Sequence, residues 1–591
     1  MQDNRNFMIA IGLTMAILLG YTYFYDAPLQ EARQEAVEVA REQQIAEAKE
    51  RGEELPDFST SDKVTAGIPG QNPMGGMTIA LDREEVLNSR EKITIESPHV
   101  HGSIALKGAR LDDLTLSDYK ETLDADSKDV ALLSPEGTAS SYFVDFSWGI
   151  NGAAGPDKES VWTADSDVLE AGDDVTLTWD NGAGLLFSRT IALDQNYMFT
   201  ITQKVTNNTD DVVNVAQYGR IVRQGRPAGQ ALYILHEGPI WSLDEGIEEF
   251  SYGNLEDMGK TEKNTATSTD GGWVGITDKF WLTALIPDPK SDFNVEVYRR
   301  GDETSEKFYA NYFHNWTALP AGDSYEEKSR LFAGAKKVSL LDNYTDVENI
   351  KMLNYAIDWG MFHFLTKPMF YLLDILYAFA GNFGVAILLL TAIVKLALFP
   401  IANKGYKSMN KMKVLQPKMK ALKEKYGDDK TKMQQATMEL YKKEKVNPVS
   451  GCLPMFLQFP VFFALYKVLY VTIDMRHAPF FGWIKDLSGP DTMLVTNLFG
   501  LIPWEPTGFL ALGILPILMG FTMWLQMQMQ PASGDPMQRK IMLFMPIVFT
   551  FMLSQFSVGL VIYWTFSNIL GILQQWVLMR RADPIPADTK A

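Results

Sequence analysis

Residues 381–400 read GNFGVAILLLTAIVKLALFP. At 1.5 Å per residue the run makes about 30 Å of helix, the thickness of a bilayer's hydrocarbon core. It holds a single charge, Lys395. Holding an ionised Lys at bilayer depth costs roughly 2.5–3.5 kcal/mol on insertion scales, so such a side chain faces protein or a water-filled cavity. The plainer alternative is snorkelling: Lys395 stands about 7.5 Å before Pro400 and the end of the run, within reach of a long side chain. Taken alone, the run leaves both readings open.

Four further runs of this kind follow, at 451–473, 508–528, 541–556 and 558–578, and one precedes, at 7–25. Six spans predict a polytopic α-helical membrane protein. As one helix, 541–578 would be about 57 Å long, so it must fold back, and Ser554, Gln555, Ser557 and Gly559 mark the turn. That leaves the fifth span about 24 Å, short enough to imply tilt-free packing or a locally thinned bilayer. Between the second and third spans stand thirteen Lys, from Lys404 to Lys445, against five acids, whereas 474–507 holds only Arg476 and Lys485 as basic residues. The positive-inside rule puts 401–450 in the cytoplasm. Alternation then puts both termini there and 26–368 outside.

The exported segment is of opposite charge to the rest. Over 26–368 there are 31 Lys and Arg against 59 Asp and Glu, a net −28, while the remainder, with 23 against 14, carries +9. The whole-chain values, 46% apolar and a net −19 over 591 residues, conceal the division. A soluble enzyme is excluded, and the single Cys452 excludes an intramolecular disulfide and any Cys-rich zinc or iron–sulfur site. Residues 1–25 read as an uncleaved anchor rather than a signal peptide, because the run ends in Tyr21, Tyr23, Phe24 and Tyr25 with no small-x-small cleavage site. Residues 26–75, rich in Ala, Glu and Gln, read as a tether. From 76 to 335, alternating runs such as KITIES, DVTLTW and YMFTITQKV, punctuated by Asp180-Asn181-Gly182 and Asn207-Asn208, predict an all-β sandwich. Its His99, His101 and His236 lack a compact carboxylate cluster and read as ordinary surface or core residues. Residues 352–380 are apolar but broken by Asp358, Lys367-Pro368 and Asp374, which suits an amphipathic helix in the outer interface.

No phosphate loop, GxSxG elbow, HExxH or His–Glu cluster occurs in the membrane half, so the expectation is no covalent chemistry, no cofactor, no metal and no small-molecule substrate. What accompanies Lys395 is polar and neutral. Thr391 lies one turn away on the same face. Gln458, Gln526, Gln528, Asn568, Gln574 and Gln575 place hydrogen-bonding groups at membrane depth. Each alone serves as interhelical glue; together they line a wet concavity open to the cytoplasm. Twenty of the 27 Met lie after residue 350, mostly as ordinary packing, though Met also suits surfaces that accept varied apolar partners. The basic segment 403–447 reads as a helical hairpin: Met412, Leu415, Met419, Leu422 and Tyr426 recur at helical spacing, Gly427-Asp428-Asp429 turns the chain, and Met433, Ala436 and Leu440 return. Its lysines fix topology and meet anionic lipid, with ribosomal RNA or an acidic partner as the other reading.

This text resembles the YidC membrane protein insertases of Gram-negative bacteria. The matching stretches are GNFGVAILLLTAIVKLALFP, SMNKMKVLQPKMKALKEKYGDDK, ELYKKEKVNPVSGCLPMFLQFPVFFALY, RHAPFFGWIKDLS, DPMQRKIMLFMPIVFTFM and SVGLVIYWTFSN, in order over most of 380–580. The resemblance implies a five-span core over 381–580, a mutarotase-like periplasmic sandwich and the inner membrane as location. It further implies nascent membrane proteins as clients, insertion alone or beside the Sec translocon, and the ribosome and signal recognition particle receptor as further partners. Lys395 falls where the family's groove carries Arg, which keeps the charge and loses bidentate recognition of a carboxylate. Thr391 matches a groove threonine, and Tyr563-Trp564 falls at an aromatic contact with the inserting segment. Residues 491–510 exceed the usual loop and the tail 581–591 is short. The runner-up is a solute or proton transporter using Lys395, which would predict inverted repeats that the sequence does not display.

Overall fold

The computed structural model describes residues 81–227, 235–244, 246–259, 262–301, 306–360, 362–426, 429–444, 453–504, 506, 508–529 and 536–581. The expected anchor, the tether, residues 76–80, Asp428, Cys452 and 582–591 lie outside them.

Strand Leu185–Leu193 explains the exported half. Leu185, Phe187, Arg189, Ile191 and Leu193 are buried and the residues between them are less so, the period of two that a strand with one covered face requires. Such strands form two sheets. One has eleven strands, running from Asn264–Ser268 through Val213–Gln224 and Tyr142–Asn151 to Val168–Glu170; the other has nine, running from Gly246–Glu249 through Ser324–Ala335 and Met198–Asn207 to Thr163–Ala164. Their inward faces share one apolar core. Among the described residues the first strand is Lys92–Glu96; before it the Asp82 carboxylate accepts from the N–H groups of Glu84 and Glu85 and starts a helix, α1 (Arg83–Asn88). A second short helix, α2 (Tyr252–Asp257), lies within the domain. Arg189 is a buried charge in this core. Strands Arg110–Lys120 and Tyr142–Asn151 meet in register at one pair, Leu111 with Val144, and the Arg189 guanidinium donates to the carbonyls of Ala109 and Phe146 beside that opening. It lies 4.9 Å from the Trp162 ring, and burial lowers its pKa to about 10.

The helical half comprises α3 (Val338–Asp346), α4 (His363–Ala380), α5 (Phe383–Tyr426), α6 (Lys430–Lys443), α7 (Leu453–Val471), α8 (Ile514–Gln528), α9 (Pro536–Leu553) and α10 (Val558–Arg581). Three boundaries differ from the sequence reading. The 381–400 run and the first arm of the basic segment are one 44-residue helix, α5, which passes through Pro400 and Pro417; each proline removes one hydrogen bond from a long ladder that is intact on both sides. Helix α4 starts at His363, not 352, because Met352 (φ 55°) and Gly360 (φ 71°) turn the chain left-handed and leave only a short 3-10 turn, Leu353–Ala356. The fourth apolar run becomes helical at Ile514, after a 3-10 turn at Gly508–Leu510. Among the described residues one helix, Phe383–Ser408, is long and apolar enough to cross a bilayer; Gln458–Val471, Ile514–Gln528 and Leu543–Leu553 are shorter apolar helices. The described residues do not confirm the count of six, since the expected first span, 7–25, lies outside them and three later segments are shorter apolar helices.

Helix α5 packs on α4, α7 and α10, and α8 packs on α9 and α10. Outward from these contacts the helices expose large apolar side chains, among them Phe379, Leu396 (72% exposed), Phe521 and Val548, a surface suited to lipid. Two glycines set the close approaches. A Cβ on Gly384 would lie 1.9 Å from the Phe480 ring, and one on Gly520 would lie 1.9 Å from Thr550 Oγ1. Gly384→Val is expected to lower the thermal unfolding midpoint of the detergent-solubilised chain, at a cost of about 1–3 kcal/mol. Adding Phe480→Ala should recover part of that loss; additive losses in a double-mutant cycle would rule out the contact.

Candidate functional site

Lys467 and Lys395 both stand within apolar helices, and their surroundings differ. Lys467, on α7, lies 2.7 Å from Asp358. Asp358 also accepts from the N–H groups of Gly360, at 3.0 Å, and His236, at 3.4 Å. Lys395, on α5, is half-buried and has neither a carboxylate nor a hydrogen-bond partner among the described residues. Sequence reasoning took Asp358 as a mark of the interface and passed over Lys467. The signal was available, a basic residue inside VFFALYKVLY at 461–470, but its partner is more than a hundred residues away and no periodicity points to it.

The neutral polar residues fall into two groups. Gln458 Nε2 donates to the hydroxyl of Tyr563, which is buried, and joins α7 to α10. Next to it, Trp564 packs edge-on against Phe462 of α7, at 4.6 Å, and Phe549 of α9, at 5.3 Å. The second group is a seam between α8 and α10. Asn568 Nδ2 donates to Thr522 Oγ1 (3.2 Å), Gln575 Nε2 donates to the Met529 carbonyl (2.8 Å), and Gln526 sits where a Cβ on Gly571 would be 2.7 Å from its Nε2. Thr391 is 1% exposed and donates to the Ile387 carbonyl at 2.6 Å, so its hydroxyl is satisfied within α5. No hydrogen bond joins Lys395 to either group among the described residues. Asn403 Oδ1 on α5 and Gln574 Nε2 and Gln575 Oε1 on α10 are buried without a protein partner there, the condition in which buried polar atoms take water.

Past Lys395, α5 continues into the basic segment. Leu415 is buried, and Met412, Met419 and Leu422 are half-buried. Asp429 caps α6, its carboxylate accepting from Lys432 N–H at 3.0 Å, and Lys418 of α5 pairs with Glu444 at 2.7 Å. The exported half meets the helices through a charged junction. Lys336, 1% exposed, donates to Thr277 Oγ1 (2.9 Å) and the Ala356 carbonyl (3.2 Å). The Lys279 ammonium lies 3.8 Å from the Tyr470 ring centroid, and Arg476 donates to the Glu121 carbonyl at 3.2 Å. His236 belongs to this junction, where burial lowers its pKa to about 4. His99 and His101 pair with Asp118 and Ser117.

Two family models match this chain: the YidC periplasmic domain over 92–372 and the 60Kd inner membrane protein over 375–584. A membrane protein insertase YidC of Methylobacterium radiotolerans is 46% identical, over 98% of this chain and 95% of its own. The chain belongs to the YidC family. A second YidC, from Rickettsia akari, is 43% identical over 97% of this chain and 98% of its own. A crystal structure of an active YidC insertase, with its first transmembrane domain resolved, aligns with 84% of this chain and 93% of that one at 18% identity and a TM-score of 0.35, too low to carry an argument. YidC membership makes the β-sandwich the periplasmic domain and places the chain at the inner membrane. The transporter alternative finds no support among these relatives.

Burial lowers the Lys336 pKa to about 8 from 10.5. Between those values the unfolded chain binds the proton more than the folded one, so this group's contribution to stability rises with pH across the window. Lys336→Met removes it. The variant's gain in unfolding midpoint over the parent should be largest below pH 8 and shrink toward pH 10.5; a gain independent of pH would count against a buried ammonium.

Proposed function

We propose that this YidC-family chain inserts nascent inner-membrane proteins by offering the polar flank of a client a hydrated, positively charged station beside Lys395, while the client's apolar body leaves sideways into lipid. Insertion is the activity for which the relatives are named. The observation that carries the mechanism is the contrast between the lysines: Lys467 is neutralised by Asp358, and Lys395 has no counter-charge among the described residues. A fixed ammonium with orphaned polar atoms on its own helix and on α10 supports water at depth, and water plus one positive charge lowers the barrier for a short acidic segment. Thr391, Gln458, Gln526, Tyr563 and Trp564 form the walls in this reading. Six spans with cytoplasmic termini, the 403–447 hairpin as the cytoplasmic entrance and anionic-lipid contact, and assistance to the Sec translocon belong to the same proposal, with the ribosome and signal recognition particle receptor as delivery partners. No covalent step is required.

Lys395→Arg should retain insertion, since a point charge imposes little geometry on its partner. Lys395→Ala should slow insertion of clients with acidic tails by on the order of tenfold or more, the worth of one charge-assisted contact, and leave clients with neutral tails nearly unaffected. Purified chain in liposomes, given a short single-span client without ATP, reads this directly. Equal rates for Ala and Lys on acidic clients would sink the electrostatic role and leave snorkelling as the explanation of Lys395.

A further inference from the structure

The segment between α7 and α8 contains a feature that insertion does not use. Asp491, buried, accepts from Trp483 Nε1 (3.0 Å), Met493 N–H (3.1 Å) and Leu515 N–H (2.8 Å), which fixes the start of α8 to the start of the loop. Val495 N–H donates to the Leu512 carbonyl at 2.9 Å and Thr496 Oγ1 to the Leu510 carbonyl at 2.8 Å, so the two sides of the loop are tied together. Gln555, in the turn between α9 and α10, donates to the Gly508 carbonyl. Beyond these ties stands a tip, Leu498–Trp504, in which Leu498, Phe499, Leu501 (82% exposed), Ile502 and Trp504 are all exposed. Residues 492–504 contain no charged side chain.

Two properties separate this tip from an ordinary surface loop. Leu498 (φ 52°) and Phe499 (φ 61°) are bulky residues held in the left-handed region, where non-glycine backbone costs energy and persists only when the surroundings impose it. Every backbone N–H from Leu498 to Trp504 also has a partner within the loop. Leu498 donates to Val495 O, Phe499 to Leu494 O, Leu501 to Leu498 O, Ile502 to Asn497 O and Trp504 to Ile502 O, while Gly500 donates to Asn497 Oδ1 at 3.0 Å and Pro503 has no N–H. Pairing of these donors within the loop removes part of the cost of leaving water, since unpaired backbone groups are costly in lipid. The apolar surface then continues on α8 through Ile517, Leu518, Phe521 and Trp524.

We propose that the Leu498–Trp504 tip lies in the outer leaflet of the bilayer, among the glycerol and upper acyl groups of lipid, as an anchor beside the outer ends of α8, α9 and α10. The proposal rests on the reading that the helical half is in the bilayer. No charged side chain lies within Leu498–Trp504, Glu505 being the next residue, so headgroup charge contributes little to its burial, and Trp504 supplies the aromatic ring suited to the interface. The anchor gives the 491–510 extension a role: it holds the outer ends of short helices at a fixed depth while a client passes.

The full chain in a Cys452→Ser background, with Leu501→Cys carrying an environment-sensitive fluorophore, tests this in liposomes of zwitterionic lipid with and without anionic lipid. Ile502→Cys is a second site with the same expectation, Phe521→Cys is the lipid-facing reference on α8, and Asp126→Cys is the exposed reference on the sandwich. The label at 501 should be quenched by lipids bearing a nitroxide near the headgroup, be several-fold less sensitive to aqueous iodide than the label at 126, and behave alike in both lipid mixtures. Iodide quenching at 501 equal to that at 126 overturns the proposal. So does a shielded label that nitroxide lipid cannot quench, which means a protein covers the tip. Quenching at 521 without quenching at 501 refutes the anchor and leaves the bilayer placement standing, whereas loss at both positions removes the bilayer placement too.

Discussion

An ammonium in an apolar helix must be compensated, and the helical half of this chain treats Lys467 and Lys395 in different ways. Lys467 is matched by Asp358, which arrives on the short segment between the sandwich and α4. Removing one member of such a pair costs more than the pair contributes, because it leaves the other charge unpaired in a poor solvent. That pair therefore fixes the 357–360 turn against α7, and through it the packing of α4 on α5 and α7. Lys395 has no such partner among the described residues, and the proposed mechanism gives it water and the client instead. In the proposed mechanism this division gives one lysine to architecture and the other to clients.

The junction with the sandwich follows the same logic. Lys336 is buried and His236 half-buried where the last strand and the 3-10 turn meet, and carbonyls, a hydroxyl and nearby carboxylates surround them. Burial keeps His236 neutral at physiological pH, with its pKa near 4. The acidic sandwich thus presents to the helices a set of interlocked cations and aromatic faces, with Lys279 over Tyr470 and Arg476 over Trp281. A joint of this kind makes the domain a fixed support for α4 and α7.

Much of this was legible in the sequence because it is local. The period of two over 185–193 announces a strand, the three- and four-residue spacing of Met412, Leu415, Met419 and Leu422 announces a helix, and the apolar runs announce a membrane. The parts that were not legible depend on distant partners or on cooperative continuation. Nothing near Pro400 or Pro417 says that α5 runs through both, since a proline's local effect is to stop a helix and only the intact ladder around it decides otherwise. Asp358 looked like an interface marker until Lys467 was found against it. Thr391 was read as part of a polar stripe, yet its hydroxyl is satisfied by Ile387 one turn back. The 491–510 segment gave no periodicity, because its order comes from Asp491, Asn497 and backbone pairs across the loop.

The central claim is that Lys395 stands in water reached from the cytoplasmic side. A Lys395→Cys variant in a Cys452→Ser background, reconstituted in sealed vesicles, can be challenged with a charged, membrane-impermeant thiol reagent added to one face at a time. Only a hydrated thiol ionises and reacts at a useful rate. The account predicts labelling from the cytoplasmic face, little from the periplasmic face, and protection when a stalled client with an acidic tail is present. A thiol that stays unmodified from both faces while the same reagent labels it in denatured chain would contradict it.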